Sequence, residues 1–264
     1  MSEYFFLTNV GSDIKNIVEI TSSQSNVVGT KKTSINFKIG IYKQGFEDNY
    51  WVKLDERYVN EDFVRLCSDE YPINLGELAV LVMVANDENL EDVYEELPEP
   101  ISRKIVDTKV NDRASVIFCN KENCSSYQGE FPYLMSKIKG TFLSFDPLVQ
   151  FGNEVQNKLF FVNIYSKKIK HKKKYSLCMA ENKSKKILNC INYYQNSVAI
   201  MDIKKQDNEV IFYSKDTLGI PIFLSFNDKG FISVEHTHPP SEFFWKEKLR
   251  GQGFLKSNWL ENLK

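Results

Sequence analysis

The stretch Leu78–Ala85, LAVLVMVA, narrows the folding options of this chain more than any other. It holds no polar residue, shows no alternation, and is bounded by Glu77 and Asn86. A run of this length is short for a core helix and far too short to cross a membrane, so it reads as a central strand buried on both faces. Ser34–Lys43 is the clearest second strand. Its Ile35, Phe37, Ile39 and Ile41 recur with period two, the mark of a half-buried strand. Asn49–Leu54 continues the pattern after a turn containing Gly45 and Asp48.

Further strands are expected at Glu3–Thr8, Arg103–Val110, Ala114–Cys119, Phe131–Tyr133 and Ile138–Phe145. Asn60–Cys67 fits either a short strand or a helical turn. Thr21–Thr33 reads as a loop, and Asn86–Pro100, with Asp87, Glu88, Glu91, Asp92, Glu95, Glu96 and Glu99, as an acidic one, with room for a helical turn over Leu90–Leu97 ended by Pro98. Asp146–Asn157 carries Pro147 and Gly152, interrupts the strand rhythm, and marks a boundary. Beyond it, segments from Leu159 to His238 read as an antiparallel meander, with Asn227-Asp-Lys-Gly230 composed as a hairpin turn. Ser241–Lys248, capped by Ser241, and Phe254–Leu263 read as helices, the second burying Phe254, Leu255, Trp259 and Leu263. The 19 Phe and 13 Tyr favour pleated, half-buried surfaces and support the strand assignments. The expectation is a mainly β protein, α+β at its C-terminus. An antiparallel sandwich-like region over residues 1–150 precedes an antiparallel meander over residues 151–264 closed by two C-terminal helices, as two domains or one continuous domain. No internal repeat stands out in the sequence.

Charge and cysteine content bound the function. The formal charge of −1 supplies no global field for nucleic acid or membrane, and five arginines among 34 basic residues argue against a dedicated phosphate-reading surface. The five cysteines form no C-x-x-C, the Cys119/Cys124 spacing matches no common zinc pattern, and the first residues lack the basic and apolar regions of a secretory signal. These features point to reduced thiols in a soluble cytoplasmic protein without a membrane span. On that reading the glycosylation patterns Asn123-Cys-Ser and Asn182-Lys-Ser are silent.

Three sets of residues are candidates for chemistry or recognition. His236 and His238 lie two apart at a strand end, so alternation puts both imidazoles on one face with Cβ atoms roughly 7 Å apart. With Glu242 folding back beyond the Pro-Pro pair, they could hold zinc or another divalent metal, or act as acid and base. The competing reading has both imidazoles bonded to backbone carbonyls. A second set, Arg113, Ser125, Tyr127, Gln128 and Glu130, surrounds the polar loop CSSYQGEF and could line a ligand site. The third is Ser166–Lys174, where Lys167, Lys168, Lys170, Lys172, Lys173 and Lys174 could dock an acidic partner. The simplest alternative for this segment is a solvated hairpin connection. A variant pairs it with the acidic Asp87–Glu99 stretch, within the chain or in a partner.

The spacing Gly230-(five residues)-His236-Thr-His238-(three residues)-Glu242 resembles the first metal motif of cupin barrels. That family's next glycine is displaced, with Gly251 eight residues after Glu242, and no later histidine supplies its last ligand. His236-Thr-His238-Pro239 is similar to the His-x-His-Pro of MPN/JAMM metalloproteases, whose downstream Ser-x-x-Asp has no counterpart, since no Asp follows Asp228. Neither resemblance identifies the chain. The function expected from the sequence is therefore a soluble intracellular binding protein, such as an accessory conflict or immunity-type factor. It would act on a protein partner or small ligand rather than nucleic acid. The alternative is a metal-assisted hydrolase with its His-x-His site near the C-terminus.

Overall fold

The computed structural model describes residues 3–264 apart from 12, 22, 25–32, 35–36, 46, 60–62, 100–113, 129–130, 133–138, 144–153, 205–207, 237–242 and 246–251. The chain forms two units, Met1–Leu134 with Tyr165–Lys172, and Met135–Ile164 with Lys173–Lys264. It passes into the second unit after Leu134, returns to the first for eight residues, and leaves again. The boundary expected at Asp146–Asn157 lies largely outside the described residues, as does the strand expected at Arg103–Val110.

The first unit contains β1 (Glu3–Thr8), β2 (Ile14–Thr21), β3 (Ser23–Gln24), β4 (Thr33–Ser34), β5 (Phe37–Lys43), β6 (Trp51–Val59), β7 (Phe63–Cys67), β8 (Leu78–Ala85), β9 (Val93–Tyr94), β10 (Ala114–Asn120), β11 (Asn123–Gln128) and β12 (Phe131–Pro132). One sheet runs β12-β1-β8-β5-β6-β9 and the other β11-β10-β2-β7, with β3 and β4 paired separately. The apolar run is β8, flanked by β1 and β5 and buried along nearly all its length, as its composition requires. β5 is also buried on both faces rather than one. Its second face carries Lys38, Gly40 and Tyr42, and the acidic segment folds across it. Leu90 packs over Gly40, and the Tyr42 hydroxyl donates to the Glu91 carbonyl at 2.9 Å.

The second unit contains β13 (Lys139–Leu143), β14 (Gln156–Val162), β15 (Lys174–Glu181), β16 (Ile187–Tyr194), β17 (Val198–Asp202), β18 (Val210–Ser214), β19 (Ile220–Phe226), β20 (Ile232–His236), β21 (Phe243–Trp245) and helix α1 (Gln252–Glu261). Its sheets run β16-β15-β18-β13-β21 and β17-β14-β19-β20. Leu177, Met179 and Phe212 from the first meet Leu159, Phe161 and Phe223 from the second in one buried cluster.

The second half is not a meander, because most neighbouring strands in the sheets are not neighbours in sequence. The helix expected at Ser241–Lys248 is contradicted by β21, whose Phe243–Trp245 pairs with the edge of β13. Bulky aromatics suit a strand once such an edge is available. Among the described residues there is one C-terminal helix, not two. It buries Leu260, with Trp259 and Leu263 packed beside it against Phe142 and Tyr213, while Leu255 faces solvent.

The strand order also contains a repeat that the sequence conceals. β1, β2, β5, β6, β7, β8, β10, β11 and β12 occupy the same sheet positions in the first unit as β13 to β21, in order, occupy in the second. The larger sheets match as β12-β1-β8-β5-β6 and β21-β13-β18-β15-β16. The smaller match as β11-β10-β2-β7 and β20-β19-β14-β17, and every pairing is antiparallel. Even the irregularity is shared. Register shifts at Ile41/Tyr42 in the β5–β6 hairpin and at Met179/Ala180 in the equivalent β15–β16 hairpin. β9 has no counterpart among the described residues of the second unit.

Candidate functional site

The lysine-rich segment is held against the first unit. It is not a hairpin connection, because β14 and β15, which it joins, lie in different sheets. Ser166 and Ile169 anchor it as buried side chains, while Lys168, Lys170, Lys173 and Lys174 are exposed. The Leu97 N–H donates to the Ser166 carbonyl at 2.9 Å, and Asn49 Nδ2 donates to the Lys170 carbonyl at 3.2 Å. Lys167 pairs with Glu96 and Lys168 with Glu95, so the acidic and basic stretches meet within one chain. The hydrogen bond and charge of Glu95 hold the Lys168 ammonium above its ordinary pKa.

Lys172 behaves differently from its neighbours. Its Nζ donates to the Gly45 carbonyl, and burial pushes its pKa down to about 8 against the opposing pull of Asp48 and Glu77. Lys170 is exposed in the first unit. Lys173 and Lys174 are exposed in the second, where the Lys173 carbonyl accepts the Gln195 N–H and Lys174 opens β15.

The polar set around CSSYQGEF is placed on a strand instead of a loop, because Asn123–Gln128 is β11, paired throughout with β10. Tyr127 is buried opposite Val116, and burial raises its phenol pKa. Ser125 is partly exposed opposite Phe118, and Gln128 lies opposite Ser115. Arg113 and Glu130 lie outside the described residues. Cys124 is bonded to Cys119 and carries no free thiol.

His236 ends β20, with its Cα opposite Ile222, while His238 and Glu242 lie outside the described residues. Among the described residues, no three His, Cys, Asp or Glu side chains converge as a metal site. No helix among them is long and apolar enough to cross a membrane.

Two features escaped the sequence reading. Cys119 faces Cys124 across the β10–β11 hairpin, and Cys178 faces Cys190 across β15–β16. Both pairs are disulfides, leaving Cys67 free. The expectation of reduced thiols is overturned, and with it the ground for a cytoplasmic location. Antiparallel register sets these residues directly opposite, with Cα atoms 4.1 Å apart in each pair. The spacings, five and twelve residues, suit tight hairpins.

The second feature is an uneven distribution of exposed apolar side chains. In the first unit Tyr50, Val52 and Tyr58 lie on or beside β6, and Val93 faces Val52 from β9. In the second, Ile187, Leu188 and Tyr194 lie on β16, the strand equivalent to β6. Of the other exposed large apolar residues described, Leu75, Phe231 and Leu255 are scattered elsewhere.

Comparison with protein-family models, with curated proteins and with solved structures finds no match for this chain.

Proposed function

We propose that the chain is a binding protein of two repeated β units, which captures a protein partner on the β6–β9 face of the first. The observation that carries this reading is the exposed trio Tyr50, Val52 and Val93 beside the docked lysine segment. An apolar centre rimmed by polar and charged groups is the common anatomy of a recognition surface. Here the rim is formed by Lys170 and the Lys168–Glu95 pair. The ion pairs and backbone bonds that fix residues 165–172 favour a surface whose charges are already positioned, which lowers the ordering cost of binding. The disulfides favour action in an oxidising environment rather than the reducing cytosol. We read each unit as a two-layer module that recognises through its strand faces.

The test compares wild-type bait, a Val52→Lys/Val93→Lys bait and a Lys170→Glu bait in affinity capture from cells that make the protein, with residue-level cross-linking. A partner cross-linked beside Val52 and Val93, lost with the double variant and weakened by Lys170→Glu, is expected. If the double variant retains the same partners, this face is not the binding surface.

A further inference from the structure

Among the described residues no strand pairs with the outer edge of β16, whereas the equivalent edge in the first unit is paired. β16 ends its sheet, whereas its equivalent β6 is overlaid at Trp51 and Val52 by β9. The covering strand belongs to the long connection from β8 to β10. The matching connection, Lys215–Gly219, has no length for one. No residue from Ile187 to Tyr194 is charged, although charges on an edge strand are the usual means of discouraging strand addition. Ile187 and Leu188 are exposed along it, and the Cys178–Cys190 disulfide ties β16 to β15. Lys264 occupies one end of this edge. Its N–H donates to the Lys185 carbonyl and its carbonyl accepts the Ile187 N–H. At the other end the Ser197 hydroxyl engages both backbone groups of Tyr194.

One bond reveals which groups between these ends face outward. The Gln195 N–H donates to the Lys173 carbonyl, so the facing pair Tyr194 and Lys174 is a non-hydrogen-bonded one. Stepping back by two, Asn192–Ser176 and Cys190–Cys178 are non-hydrogen-bonded as well, in keeping with the short 4.1 Å Cα separation of the cysteines. The peptide groups of Cys190 and Asn192 therefore point away from β15, toward the open edge.

We propose that β16 pairs antiparallel with β16 of a second copy of this chain, about a two-fold axis at Ile191. In this register Cys190 of each copy faces Asn192 of the other. Each such pair exchanges both N–H···O=C bonds, because those are the residues whose peptide groups face outward. Leu188 of one copy comes opposite Tyr194 of the other on the same face of the joined sheet. The second copy is favoured over an unrelated strand because hydrogen bonds and side chains match themselves in one register, and a strand without charges meets itself without repulsion. This interface is separate from the β6–β9 face and does not rest on the partner reading above.

Sedimentation of the full oxidised chain over a concentration series tests the proposal, beside Asn192→Pro and Leu188→Lys. Proline at 192 removes an outward N–H that the intrachain ladder does not use, so the sheet tolerates it. The wild type is expected to dimerise reversibly, with slowed amide exchange at Cys190 and Asn192 at high concentration. Both variants should weaken the dimer by roughly tenfold or more. Far-UV circular dichroism verifies folding, and Leu188→Lys carries the comparison if the proline variant unfolds. A wild type that stays monomeric at its highest soluble concentration overturns the proposal. So does a dimer that a folded variant leaves unchanged, or a monomer whose β16 edge takes up only a different protein.

Discussion

Removing the Cys178–Cys190 disulfide by Cys178→Ala/Cys190→Ala should cost the second unit about 3 kcal/mol, and removing Cys119–Cys124 in the same way should cost the first about 2 kcal/mol. The figures follow from the closed loops, with sequence separations of 12 and 5, because a cross-link stabilises mainly by restricting the unfolded chain, and more so for a longer loop. The bonds lie in different units, so each loss should appear in its own unit's transition with little effect on the other. Urea unfolding with and without reductant measures the effect, and reductant should bring the wild type to the level of the variant lacking both bonds. Thiol titration in denaturant provides an independent count. Protein folded under oxidising conditions should present Cys67 alone, and all five cysteines after reduction. Five reactive thiols in oxidatively folded protein, or an unfolding curve indifferent to reductant, would refute the reasoning.

Asn163 is the second test, because it is buried and spans three segments. Its Nδ2 donates to Thr217 Oγ1 at 2.9 Å and to the Leu218 carbonyl at 2.7 Å, and its Oδ1 accepts the Asn196 N–H at 3.2 Å. Asn163→Leu strands those groups away from water and should cost about 3 kcal/mol in urea unfolding. A loss under about 1 kcal/mol would mean that they find other partners. Lys172 yields a pH dependence. Its pKa is lowered to about 8 in the folded chain from an ordinary 10.5, so the unfolded chain binds the proton more tightly in between. Wild-type stability relative to Lys172→Met should therefore be lowest below about pH 8 and rise through that window, by at most about 3 kcal/mol. Melting both proteins across the window checks this, and a constant difference would count against the burial of Lys172.

Local pattern carried the strand assignments that proved correct. LAVLVMVA could hardly be anything but an interior strand, and Asn227-Asp-Lys-Gly230 turns as composed. Asn227 Oδ1 accepts the N–H groups of Lys229 and Phe231, and Gly230 adopts a positive φ of 96°. The meeting of lysine and acidic stretches was visible as a complementarity, but not its partners, Glu95 and Glu96, nor the burial that sets Lys172 apart. Phe243–Trp245 misled because an aromatic triplet between polar residues fits a helix face as well as a strand. The free edge of β13, which lies far back in the chain, made the choice.

The sequence by itself determined a mainly β chain, its central strand and much of its turn chemistry, because periodicity and turn preference act between residues close along the chain. Only the tertiary structure decided the nine-strand repeat, the cysteine pairing and the open edge of β16. Each depends on which distant strands lie side by side, and many different sequences satisfy the same order of pairing.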